Sequence, residues 1–303
     1  MSSDTYDTLD ERFRRCVRST ERPAQLFEGC RWAEGPAWFA AGRQLVWSDI
    51  PNDRMLRWDE PSGTVGVFRA PAANSNGNTV DPQGRLVTCE HGNRRVTRTE
   101  HDGSITVIAD AFEGRRLNSP NDVVVRSDGS IWFSDPPFGI LGYYEGHKAA
   151  PELPTNVYRI DPSAAIGVAT GDVERPNGLA FSPDESKLYV IEASATQRSI
   201  YAFDVVDGAR LANKRKLVDA GRGTPDGMRV DVDGNLWVGW GMGEDGLDGV
   251  EVFNSSGLRI GRIDLPERCA NLCFGGRHRN RLFMCGSTSL YSLFVNTQGA
   301  ATS

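Results

Sequence analysis

The chain has 303 residues, 39% of them apolar, and a formal net charge of −6. An acidic chain with no basic block is a poor fit to nucleic acid or to an anionic membrane surface, so neither partner is expected. With 33 glycines and 16 prolines spread along its length, it reads as many short strands joined by tight turns, with few long helices.

The first 26 residues are polar and acidic and lack the apolar core of a secretory leader. They read as an N-terminal arm or cap, with one candidate helix at about 5–16 (TYDTLDERFRRC). No later stretch approaches the length of a membrane span, so a cytoplasmic protein is expected. The six cysteines, Cys16, Cys30, Cys89, Cys269, Cys273 and Cys285, have no zinc-ligand spacing and read as free thiols packed on strands; a bridge from Cys16 to a late cysteine stays open.

From about residue 33 one pattern recurs six times. A polar residue followed by a small one opens a strand, a tight turn follows, then a second strand. The copies open at Glu34-Gly, Asn76-Gly, Asn121-Asp, Asn177-Gly, Asp226-Gly and Ala270-Asn. Their second strands are RQLVWSDI, GRLVTCE, GSIWFSDP, KLYVIEA, GNLWVGW and NRLFMCG. Turn residues such as Ser127-Asp-Gly and Val232-Asp-Gly join the two. A third alternating strand follows in each copy, and a fourth in several, for example TVGVF and SITVIA. Four strands per copy at this period predict an all-β, six-bladed propeller of four-stranded blades, forming one domain over 1–303. The longest insertion, at about 136–156, has the length of a lid or site wall, or of a plain surface loop.

In a propeller the first strand of each blade lines the axis, so the opening residues form a ring. Glu34, Asn76, Asn121, Asn177 and Asp226 all bear oxygen, and none of the six is basic. Each Asn-Gly pair taken singly is also an ordinary turn former. Five oxygen-bearing positions in register favour a hard divalent cation, calcium first, with Zn2+, Mg2+ or Mn2+ as alternatives. Around the ring, His91 and Glu90 follow a second strand, Trp240 and Met242 another, and Phe138 lies on the insertion; all are candidate substrate contacts. His101, His147 and His278 read as exposed. No G-x-S-x-G or H-E-x-x-H motif is present.

The segments AEGPAW (33–38), RLNSPND (116–122), RPNGLAFSPDESKLYV (175–190) and TPDGMRVDVDGNLWV (224–238) resemble those of the gluconolactonase and regucalcin (senescence marker protein) family, most closely its bacterial branch. The resemblance runs from about Phe27 to about Tyr291. It implies a propeller that hydrolyses a lactone, glucono-1,5-lactone being the expected substrate. It implies metal ligation by Glu34, Asn177 and Asp226, with Asp226 also the catalytic acid/base and Asn121 a contact of the metal or of substrate; Asn76, in the ring, is a candidate substrate contact. The family often has an arginine just ahead of the Asn-Asp pair; here Ser119 and Pro120 fill those positions and Arg116 lies further back as the candidate. A non-catalytic calcium- or partner-binding propeller, or a hydrolase of other esters or phosphoesters, stays open at this point, as does a homodimer.

Overall fold

The computed structural model describes residues 5–241 and 246–301. It is a six-bladed propeller of four-stranded antiparallel blades. Blade 1 runs through Ala33–Phe39, Gln44–Asp49, Arg54–Asp59 and Val65–Arg69, from the axis outward. Blade 2 begins with Ser75–Val80, blade 3 with Val123–Val125, blade 4 with Pro176–Phe181, blade 5 with Pro225–Val230 and blade 6 with Cys269–Gly275. These inner strands touch one another in that order, and the sixth touches the first, so the ring closes.

Closure uses the N-terminus. Ala24–Glu28 is the outermost strand of blade 6, with Ala24 opposite Ser292 and Glu28 opposite Ser289. The segment expected to be an arm or cap therefore completes the last blade. Tyr6–Thr8 adds a fifth strand to blade 5, with Tyr6 opposite Ile263. That pairing shortens the expected helix to Glu11–Cys16, because edge-strand hydrogen bonds outweigh helix propensity over residues 6–8. Asp10 caps the helix by accepting from the Arg12 backbone N–H at 2.8 Å. Phe13 is fully buried and packs 6.4 Å from Trp237.

The core is a ring of apolar clusters, one between each pair of neighbouring blades. Trp47, Trp132 and Trp237 are the largest side chains fully buried in them. All six cysteines are free and buried, and Cys16 is not bridged to a late cysteine. No described helix is long and apolar enough to cross a membrane.

The opening pairs are not turns. In blades 1, 2, 4, 5 and 6 the pairing of first and second strands slips at the opening residue, for example between Pro225 and Met228. Such a bulge re-aims one side chain out of the strand's alternation. The glycine that follows has a steric cause. A Cβ on Gly178 would sit 2.3 Å from the Asp226 carbonyl oxygen of the next blade. Gly35, at φ +52°, meets the Asn76 carbonyl at 2.1 Å in the same way. The small residue thus lets neighbouring blades converge where the ring forms.

Candidate active site

The bulges bring Glu34, Asn76, Asn177 and Asp226, and the segment entering blade 3 brings Asn121, to the floor of one cavity of about 700 Å³ at one mouth of the axis. All five are buried, Glu34 to 4% and Asp226 to 5% exposure. Ala270, the sixth ring residue, is buried and apolar. The insertion supplies one wall with Phe138, Leu141, Tyr144 and Glu145. Ser119 anchors it, donating to the Pro136 carbonyl at 2.6 Å and accepting from the Gly139 N–H at 3.0 Å.

Charge on the floor is poorly compensated. Burial drives the Glu34 carboxyl well above its ordinary range, and the charges of Asp226 and Asp122 push it further. Its stabilising partners are the Gly35 N–H at 2.8 Å and the Asn271 amide. Asp226 is also raised by burial, against the pull of Arg268 and the Asn177 amide. Arg268 Nη2 lies 2.5 Å from Asp226 Oδ2. Asp122, 1% exposed, is raised by burial with Arg229 Nη1 3.7 Å away, and its Oδ2 has no hydrogen-bond partner. Three buried carboxyl groups thus have two arginines near them, Arg268 at Asp226 and Arg229 at Asp122.

This donor set fits a divalent cation. It offers two carboxylates and three amides, all hard oxygen donors, with anionic charge left over on buried groups. Among the described residues no three His, Cys, Asp or Glu side chains are gathered as ligands, so the amide oxygens are needed to complete a site.

Several expected contacts lie elsewhere. His91 is fully buried behind the wall, its Nε2 3.1 Å from Asn76 Nδ2 and its Nδ1 3.2 Å from the Glu145 carbonyl. Burial lowers its pKa to about 4, so the ring is neutral. An Nδ1–H donating to that carbonyl leaves Nε2 to accept from Asn76, which orients the amide. Glu90 is held by Arg95 Nε at 2.6 Å and Thr97 Oγ1 at 3.0 Å, and faces a separate cavity shared with Arg69 and His147. Trp240 packs in the cluster between blades 4 and 5, 5.8 Å from Phe253, because a second strand faces the neighbouring blade and not the axis. Arg116 is exposed on the two-stranded ribbon Ala111–Phe112/Arg115–Arg116 and donates to the Asn93 carbonyl at 3.1 Å. His101, His147 and His278 are exposed as expected. Met242 lies outside the described residues.

Sequence reasoning missed Trp32, Arg175, Thr224, Glu145 and Arg268, all of which line the cavity. The Arg268 guanidinium lies 5.2 Å over the Trp32 ring. Desolvation, followed by the charge of Asp226, raises Glu145 to about 7, against Arg268.

Residues 32–288 match the family described as SMP-30/Gluconolactonase/LRE-like region. The chain belongs to this family. A gluconolactonase of Zymomonas mobilis is 31% identical, over 89% of this chain and 80% of its own length. Bovine regucalcin is 25% identical, over 86% and 84%. Among solved structures, XC5397 from Xanthomonas campestris, described as a gluconolactonase, superimposes with a TM-score of 0.90 at 41% identity, covering 96% of this chain and 95% of its own.

Proposed function

We propose that this enzyme hydrolyses aldonolactones of the glucono-1,5-lactone type, with a divalent ion, calcium first, held by Glu34, Asn121, Asn177 and Asp226. Lactone hydrolysis follows from family membership together with the relatives named gluconolactonase. The observation that carries the site is the axial floor, where buried oxygen donors carry more negative charge than their neighbours neutralise. The six buried free thiols suit a reducing cytoplasm.

The reaction adds a water oxygen to the lactone carbonyl carbon and breaks the bond from that carbon to the ring oxygen. The ring oxygen takes up a proton and leaves as the hydroxyl of a hydroxy acid. A bound dication would supply Lewis acidity toward the carbonyl oxygen. Asp226 is the protein's proton carrier in this reading. Arg268 holds one of its oxygens, which fixes the carboxylate; the other would ligate the ion and stand beside the water whose proton it takes. The amides of Asn76 and Asn121 bind the sugar hydroxyls. Phe138, Tyr144 and Trp32 bury the apolar faces of the ring and limit competing water.

The test is metal-stripped protein assayed on a panel of lactones, then restored with Ca2+, Zn2+, Mg2+ or Mn2+. Activity should vanish with the metal and return with it. Full turnover in demonstrably metal-free protein would overturn the metal's role.

A further inference from the structure

The ring has a second storey. The residue two before each ring position lies just ahead of its blade's inner strand, where the chain enters the axis. In blade order these are Trp32, Asn74, Ser119, Arg175, Thr224 and Arg268. Four of them, Trp32, Arg175, Thr224 and Arg268, line the cavity. Asn74 and Ser119 are committed to loop carbonyls, of Ile50 and Pro136 respectively. The lower ring therefore carries two carboxyl groups and the upper ring two guanidinium groups, with Arg198 adding a third guanidinium and Glu145 one carboxyl group to the wall.

Two features describe how these arginines are held. Arg175 sits in the left-handed region at φ +49°, and it precedes Pro176. A residue before proline prefers extended backbone, and a residue with a Cβ rarely enters the left-handed region. The chain thus holds an arginine at the cavity wall in a strained conformation, and no acidic side chain of the described residues forms an ion pair with it. Arg268 spends Nη2 on Asp226, while its Nε is buried without a partner. Filling the floor with a dication makes the cavity more positive still.

A neutral polyhydroxy lactone accepts from a guanidinium only through single, uncharged oxygens. A carboxylate or phosphate matches the fork of a guanidinium with two parallel hydrogen bonds. We propose that the preferred substrate is an aldonolactone carrying an acidic group remote from its ring carbonyl, gripped by Arg175 with help from the upper ring. This rests on the lactonase reading of the cavity and narrows its substrate class.

The experiment uses the metal-loaded full-length enzyme. Its kcat/KM is measured on glucono-1,5-lactone, on the 6-phosphate of that lactone and on glucaro-1,4-lactone. Binding of sorbitol and sorbitol 6-phosphate, which cannot be hydrolysed, is followed by calorimetry. An acidic lactone should exceed the neutral one by about tenfold or more, an advantage that shrinks as salt rises. The two acidic substrates decide between phosphate and carboxylate. Arg175→Gln should lower kcat/KM for the acidic lactone about tenfold more than for the neutral one, and should remove the preference for sorbitol 6-phosphate. Equal rates on neutral and acidic lactones, or an equal loss on both in the variant, overturn the proposal while leaving the lactonase intact. Binding of sorbitol 6-phosphate that depends on Arg175, without turnover of any lactone, would sustain the anion pocket and overturn the lactonase reading.

Discussion

Glu34→Gln should make the metal-free protein more stable and the metal-binding protein worse. Glu34 is 4% exposed, and its pKa is driven up by burial, then by Asp226 and Asp122. Asp226 has an arginine at 2.5 Å, whereas Glu34 has only the Gly35 N–H and the Asn271 amide. Glutamine keeps the shape and the oxygen that accepts from Gly35. Its other oxygen becomes an uncharged N–H2, which removes the repulsion from Asp226 and Asp122 but cannot accept from the Asn271 amide. Relieving one buried, poorly paired group is worth about 1–3 kcal/mol. In a chain of this size that raises Tm by about 2–6 °C. Ligand charge sets affinity for hard cations, so losing one carboxylate should weaken binding by about 100-fold or more. Metal at 100 times the wild-type Kd stabilises the wild type by about 2.7 kcal/mol and the variant by only a few tenths. Scanning calorimetry at pH 7, first in chelator and then across a calcium titration, reads both effects. If the variant melts below the wild type in chelator, the floor is not electrostatically frustrated and the argument for a cation there loses its physical basis.

Asp226→Asn tests a different property of the same ring. If Asp226 carries the proton, its loss should cut kcat by about 10²–10⁴ even at saturating metal, whereas excess metal should partly rescue Glu34→Gln. Equal recovery of the two, with occupancy measured independently, makes Asp226 a ligand only. A third test concerns Asp135, which is fully buried beneath the segment leading to Asn121 and accepts from the Asn118 N–H at 2.8 Å. Burial raises its pKa from 3.8 to about 7, against the Asn118 and Ser119 N–H groups and Arg94. Folding therefore takes up a proton, so this contribution is full below pH 3.8 and is lost as pH rises toward about 7. The interval corresponds to at most about 4 kcal/mol. Urea unfolding at pH 5 and pH 8 should show a smaller difference for Asp135→Asn than for the wild type; an unchanged difference means that Asp135 is ionised throughout.

Blade number was legible because each copy repeats the same order of polar opening, strand, turn and strand. The ring was legible for a reason visible only in three dimensions: the glycine after Glu34, Asn76, Asn177 or Asp226 is where the next blade's inner strand arrives. The closing strand Ala24–Glu28 was not legible, since its partner Ser289–Phe294 lies at the other end of the chain and nothing local marks the pairing. Trp240 and Glu90 were misplaced because closeness to the end of a second strand does not say which face a side chain takes. Their faces are set by the neighbouring blade and by Arg95. Arg116 was chosen for closeness in sequence to Asn121, yet the ribbon carries it outward into solvent. Arg268 was not legible because its copy opens on the apolar Ala270, so nothing in the repeat marks blade 6 as a source of chemistry. Once the ring positions are fixed, the residue two before each can be read off as Trp32, Asn74, Ser119, Arg175, Thr224 and Arg268, but that four of these line the cavity, Trp32, Arg175, Thr224 and Arg268, is visible only in the fold. The lower ring's chemistry is common to any blade arrangement that gathers oxygen at the axis. The upper ring faces the mouth through which substrate must pass, so sequence differences there are the ones expected to change which lactone is accepted.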